Sequence, residues 1–161
     1  MVSVARLERL AVAVVAVTLL LTGPFGVVDA TARNPTTVGD GRANATVERL
    51  DTSGLLVEGG RFGTGVDYLR IPDATVAVSD IEGRPRLVYR VSVPELGVDR
   101  TTTKLLSGGR SGTVRLGMRD RGLDPDSVTE QRYRATITVR VQSFEYDQTV
   151  FETDETVEVR P

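Results

Sequence analysis

An all-β fold is what the sequence predicts: a single antiparallel β-sandwich of about seven to nine strands, preceded by one N-terminal hydrophobic helix. Three observations carry that expectation. Arg132–Gln142 alternates apolar and polar side chains without a fault. Other short alternating runs are separated by turn residues at fairly regular spacing. Beyond residue 32 no segment has a helical period, apart from one turn expected at Asp124–Thr129.

The chain begins with a mildly basic stretch, Met1–Arg9, in which Arg6 and Arg9 stand against Glu8. Leu10–Val28 then carries no charge. Its strongly apolar block, Leu10–Leu21, falls short of the roughly 20 residues a bilayer span needs and suits the core of a signal peptide. Gly23-Pro24 breaks a helix by adding backbone freedom and removing a donor. Val28-Asp29-Ala30 and Ala30-Thr31-Ala32 put small residues where a signal peptidase cuts. Counted instead from Leu10 to Val28, the uncharged run makes a retained anchor with its basic flank in the cytoplasm. A buried helix of the folded domain fits least, because the run has no polar face. Cleavage is the favoured reading, and both leading readings send residues 33 onward outside the cytoplasm. Residues 1–32 are therefore a signal peptide or an N-terminal membrane anchor. Residues 33–42, RNPTTVGDGR, form a linker, and residues 43–161 form the β-sandwich domain.

Within that domain the elements follow in order. Ala45–Leu50 and Leu55–Val57 are short strands around the turn Asp51-Thr52-Ser53-Gly54, and Val66–Ile71 adds another. Ala74–Ile81 and Arg86–Val93 are expected to pair as a β-hairpin through Glu82-Gly83-Arg84-Pro85. In the second of these strands Leu87, Tyr89, Val91 and Val93 share a face, and Pro94 ends the run by withholding a ladder donor. Thr101–Leu106 and Thr113–Met118 flank the Gly-rich turn Ser107–Gly112. In Arg132–Gln142, Tyr133, Ala135, Ile137, Val139 and Val141 face inward, and a one-residue slip would bury three arginines. Thr149–Phe151 and Thr156–Arg160 close the list, with Glu152, Asp154 and Glu155 between them as a bulge or exposed tip.

Composition excludes several classes of function. The chain carries 20 basic and 22 acidic residues, a net charge of −2, which lacks the basic excess of a nucleic-acid binder. It has no Cys, hence no disulfide, no lipid-modified cysteine and no thiol nucleophile. It has no His, which removes the usual general base near neutral pH; without His or Cys the common zinc ligands are gone as well. Catalysis would have to run on carboxylates, as in a glycosidase-like pair. No cofactor is expected. The motif Gly63-x-Gly65 lacks the third Gly and the following helix of a dinucleotide site. Thr101-Thr102-Thr103-Lys104 lacks the serine and the helix of a Ser-x-x-Lys nucleophile.

Three groups of residues could carry chemistry. Asp120, Asp124 and Asp126, with Glu130 nearby, offer oxygen ligands for calcium, although their spacing does not match a calcium loop and suits ordinary turn chemistry better. Asn44-Ala45-Thr46 is an N-glycosylation sequon. Arg132, Arg134 and Arg140 form an outward row suited to an acidic glycan or an acidic surface-layer partner; pairing with cross-strand acids is the favoured alternative.

The run LVYRVSVPELG (Leu87–Gly97), a Gly-rich turn, TVRLGM (Thr113–Met118), YRATITVRV (Tyr133–Val141) and the closing TVEV (Thr156–Val159) together resemble the immunoglobulin-like modules of haloarchaeal exported and cell-surface proteins. A basic set made of arginine apart from Lys104, with abundant Asp, Val and Thr, is similar to haloarchaeal composition too. The resemblance implies a surface setting and carries over no catalytic residues. It implies that Tyr133 serves as a tyrosine-corner residue. The Cys-Trp-Cys set of antibody-type domains is absent. The expected function is a non-enzymatic, exported cell-surface or envelope module for protein or glycan interaction, attached to the membrane if its N-terminal segment stays uncleaved. An extracellular carboxylate-dependent hydrolase is the alternative, and a minor pilin or secretion-system subunit ranks below it. Intact-mass measurement of the cell-associated protein is expected to find a new N-terminus just after Ala30 or Ala32; recovery of Met1 would establish the anchor instead.

Overall fold

A computed structural model describes residues 39–60, 65–109, 111–124 and 126–160. The N-terminal hydrophobic helix, residues 33–38 of the linker and Gly63 lie outside the described residues. Ten strands run through the described part. In chain order they are β1 (Gly41–Leu50), β2 (Leu56–Gly59), β3 (Asp67–Arg70), β4 (Ala74–Gly83), β5 (Arg86–Val93), β6 (Val98–Leu105), β7 (Gly112–Leu116), β8 (Arg121–Gly122), β9 (Arg132–Gln142) and β10 (Asp147–Arg160). β1, β4 and β7 form a three-stranded sheet in the order β1-β4-β7. The others form a seven-stranded sheet in the order β6-β5-β9-β10-β2-β3-β8.

The alternation of β9 appears in the fold as expected. Tyr133, Ala135, Ile137, Val139 and Val141 are buried, while the intervening residues are exposed or half-buried. β5 and β10 flank β9 and pair with it antiparallel. Both sheets contribute to one core: Val76 of β4 and Leu116 of β7 from the small sheet, and Leu87, Tyr89, Ile137 and Val157 from the large one. Among the described residues no polar or charged side chain is fully buried. Fully burying Ile137 or Val139 contributes roughly 1.5–3 kcal/mol each.

Two tyrosine hydroxyls tie this core to loop backbone. Tyr133 Oη accepts hydrogen bonds from the backbone N–H of Thr129 (2.7 Å) and Glu130 (2.8 Å), just ahead of β9. Tyr89 Oη donates to the Pro72 carbonyl at 2.8 Å. Burial, with Asp73 nearby, pushes the Tyr89 phenol well above its usual range of ionisation.

The structure corrects the sequence in several places. β4 and β5 do not pair as a hairpin. They belong to different sheets, and Arg84-Pro85 is a crossing between them. The reason lies in where the crossing's backbone groups go. Arg84 N–H donates to the Asp40 carbonyl (2.6 Å), the Pro85 carbonyl accepts from Leu106 N–H (2.8 Å), and Pro85 has no N–H to give. The C-terminal pair of strands is one continuous strand, β10, with its irregularity between Thr149 and Phe151. Glu152, Asp154 and Glu155 therefore lie within a strand and not at a tip. The alternation continues through them, with Glu152 and Asp154 exposed on one face and Phe151, Thr153 and Glu155 half-buried on the other. The sandwich is not purely antiparallel, because β2 runs parallel to β10. No α-helix occurs among the described residues, and within Asp124–Thr129 the Ser127 N–H donates to the Asp124 carbonyl at 3.1 Å. The Asp51–Gly54 turn is a short 3₁₀ helix, Thr52–Gly54, capped by Asp51 Oδ1 on Ser53 N–H at 3.2 Å. β1 starts at Gly41, two residues ahead of the expected domain start.

Replacing Tyr133 with Phe keeps the ring in the core and strips two backbone donors of their acceptor. Equilibrium urea unfolding of the full chain is expected to show a loss of roughly 1–3 kcal/mol. An unchanged midpoint would mean that the hydroxyl does not hold the loop.

Candidate functional site

Strand register brings four connections to one end of the domain. Arg86 of β5 sits opposite Leu105 of β6 and Gln142 of β9, and Gln142 sits opposite Asp147 of β10. Gly41 and Gly83 meet where β1 begins and β4 ends. The entering segment at Gly39, the β4–β5 crossing, the loop after β6 and the β9–β10 turn are thereby neighbours. Their backbones bond to one another: Phe144 N–H donates to the Gly39 carbonyl (2.8 Å) and Gly109 N–H to the Ile81 carbonyl (3.3 Å). The approach of β1 to β4 needs glycine on both sides. A Cβ on Gly41 would lie 2.0 Å from the Glu82 carbonyl oxygen, and one on Gly83 would lie 2.5 Å from that of Asp40.

A cleft of ≈ 350 Å³ opens at this end, lined by Arg42, Ala43, Asn44, Asp80, Glu82 and Tyr146. A β-bulge shapes it. Arg42 is paired with Glu82 and Asn44 with Ser79, so Asp80 and Ile81 together oppose Ala43. Asp80 takes φ 50°, a left-handed conformation that Asp tolerates better than most residues. Its Oδ2 accepts from Asn44 Nδ2 at 2.8 Å and from Ser79 Oγ at 3.1 Å. Arg42 holds Glu82 through Nε (2.8 Å) and Nη2 (3.3 Å), and that hydrogen-bonded contact raises the guanidinium's pKa further. Both partners are more than 60% exposed, so the pair adds specificity of shape and little stability. Tyr146 donates its hydroxyl to Gln148. The walls offer donors, acceptors and an aromatic ring, the groups that suit a sugar or a peptide.

Of the residues singled out in the sequence, only Asn44 lines this cleft. Its side chain is exposed on β1, an edge strand, as is that of Thr46. The arginine row divides. Arg140 Nη2 pairs with Asp147 at 2.7 Å, while its Nε is buried without a hydrogen-bond partner among the described residues. Arg132 and Arg134 are exposed and enter no ion pair among the described residues. They lie roughly 20–26 Å along the strand from Arg140. The backbone N–H of Arg134, not its side chain, is engaged, donating to Glu95 Oε2 at 2.9 Å. Asp120 is bound to Arg70, which also contacts Glu58 at 2.9 Å. Asp124 and Asp126 are exposed. Among the described residues no group of three acidic side chains is gathered to hold a metal ion. A second cleft of ≈ 280 Å³ brings Thr52, Ser53, Leu55 and Leu56 against Glu155, Thr156, Glu158 and Arg160. Arg42, Asp80, Glu82 and Tyr146 carried no sequence signal of their own. They converge through a bulge and a sheet crossing, and neither follows from alternation.

The chain matches no protein-family model, no curated protein and no solved structure.

One ion pair on the open face of the large sheet has a visible effect on ionisation. Arg90 binds Asp99 through Nη2 at 2.6 Å and Nε at 2.8 Å, and this hydrogen bonding lowers the Asp99 pKa. A depressed folded-state pKa stabilises the fold above the unfolded value, and that contribution disappears as pH falls through the folded value. Both side chains are more than half exposed, so the contribution is small. NMR titration is expected to place the Asp99 carboxyl below the ordinary aspartate value of about 3.9 in the parent chain and to move it upward in Arg90→Gln. Superimposable titrations would show that the pair does not persist in solution.

Proposed function

We propose that this chain is a non-enzymatic, exported module of immunoglobulin-like type that works at the cell surface or in the envelope by holding a protein or glycan partner. The strand order is the observation that carries the reading. β1, β4 and β7 correspond to the A, B and E strands of such a module, and β6, β5, β9 and β10 to C′, C, F and G. The chain changes sheets after β1, β3, β4, β6 and β7; the last three changes are in keeping with that pattern, while β2, β3 and β8 extend the large sheet beyond it. Tyr133, near the start of the strand in the F position, accepts hydrogen bonds from backbone immediately upstream, as a tyrosine corner does. Ala135, two residues on, is fully buried where antibody domains carry a cysteine, so apolar contact stands in for the crosslink.

Modules of this kind hold partners through exposed loops and side chains carried on a rigid frame. Two features here suit that role: the polar cleft at the loop end, and the exposed cations Arg132 and Arg134 at the far end of β9. Export follows from the N-terminal segment. Among the described residues no helix is long and apolar enough to cross a membrane; the uncharged run at residues 10–28 is the attachment to a bilayer in this reading where it is retained. The partner these surfaces favour is a surface-layer protein or an acidic glycan, met by arginine through charge-assisted hydrogen bonds.

Binding of the full chain to acidic polysaccharide prepared from the producing cells' envelope tests the reading. The double variant Arg132→Glu/Arg134→Glu is expected to weaken retention about tenfold or more, the equivalent of one strong charge-assisted contact. Arg140→Gln, already engaged by Asp147, is expected to leave it unchanged. Turnover of the polysaccharide that depends on an Asp or Glu side chain would replace this reading with the hydrolase.

A further inference from the structure

We infer that Asn44 is N-glycosylated and that Asp80 positions its amide to receive the sugar. This rests on the exported setting proposed above. Asn44 and Thr46 are both exposed on β1, and alternate residues of a strand share a face, so the acceptor amide and the threonine hydroxyl present themselves together. Their cross-strand partners are small. Asn44 is opposite Ser79, Thr46 is opposite Ala77, and Ala77 is opposite Thr113. Among the described residues β1 has no strand on its other side, and the ≈ 350 Å³ cleft opens beside the amide.

The hydrogen bond to Asp80 supplies the second part. Asn44 Nδ2 carries two protons, and one of them is donated to Asp80 Oδ2 at 2.8 Å. That contact fixes the plane of the amide and leaves the other N–H turned away from Asp80. In the transfer, Nδ2 forms a bond to the anomeric carbon of a lipid-phosphate-linked saccharide. The bond from that carbon to the phosphate oxygen breaks, the phosphate leaves with the electron pair, and it takes up the proton lost from Nδ2. The product amide keeps one N–H, so the bond to Asp80 survives. The left-handed backbone of Asp80, φ 50°, sets its carboxylate under the amide.

The full chain, recovered from its producing cells, gives the test by peptide mass spectrometry. Cleavage after Arg42 and Arg49 releases residues 43–49, a peptide carrying the whole sequon. It is expected to gain the mass of a saccharide, and to lose it in Asn44→Gln and in Thr46→Ala but not in Thr46→Ser. Asp80→Gly permits the same backbone and removes the acceptor; it is expected to lower occupancy severalfold. Asp80→Asn restores an acceptor and is expected to restore occupancy. An unmodified peptide from chain found outside the cytoplasm would overturn the site while leaving the exported reading intact. Chain found only inside the cytoplasm would overturn both. Full occupancy in Asp80→Gly would overturn the part given to Asp80.

Discussion

β9 carries five apolar side chains on one face and three arginines on the other, and it lies between two partners, so its register constrains the rest of the fold. A slip of one residue would drive Arg132, Arg134 and Arg140 toward the core and expose Ile137 and Val139. Each misplaced arginine would then face a desolvation cost larger than any single burial gain. With β9 fixed, the pairing Leu87↔Val141 through Val91↔Ile137 aligns the inner face of β5 with it. The pairing Phe151↔Val139 through Val157↔Tyr133 does the same for β10. The small sheet then closes over a surface already specified, through Val76, Val78 and Leu116.

Without disulfides, the connections must be held by other means, and hydrogen bonds to backbone meet that need. The connections between strands put polar main-chain groups near an apolar core, where an unpaired one costs about 1–3 kcal/mol. Tyr133 covers two such groups and Tyr89 a third. At the opposite end from Tyr133, loop backbones bond one another: Asp40 with Arg84, Pro85 with Leu106, and Gly39 with Phe144. A loop end tied this way keeps its side chains in place without large apolar contacts. That allows the cleft there to be polar and open.

How far the sequence could be read depended on the range of the signal. Alternation is local, so β5 and β9 were legible residue by residue, and Tyr133 could be singled out through its resemblance to a tyrosine corner. Pairing is not local. Glu82-Gly83-Arg84-Pro85 carries the residues of a hairpin turn, yet it takes the chain from one sheet to the other, because the partners of its backbone lie at Asp40 and Leu106. The acidic stretch of β10 misled for a different reason. A run with Glu152, Asp154 and Glu155 has poor strand propensity, and tertiary pairing with β9 over its full length overrides that preference. Among the site residues, Asn44 was visible because a sequon is three residues long. Asp80 was not, since it meets Asn44 across 36 residues of chain through a bulge that no periodicity announces.

Charge on this molecule follows from what each sheet face must satisfy, and that separates ordinary surface from the bulge at Asp80. Arg90 with Asp99, Arg70 with Glu58 and Asp120, and Arg140 with Asp147 are neighbours on adjacent strands or their ends, the pairing expected of two interleaved signs on a wet face. Such pairs contribute little to stability and need no functional explanation. Asp80 differs. It is one of two described non-glycine residues with positive φ, and its carboxylate contacts an uncharged amide and a hydroxyl instead of an arginine. A bulge with a left-handed residue disrupts its ladder and costs backbone energy, so it persists only where surrounding structure determines it. Here Gly41 and Gly83, pressed together on one side, and the Asn44 amide on the other supply that determination. The local departure from regular sheet geometry is what opens the cleft and turns the Asn44 side chain toward it.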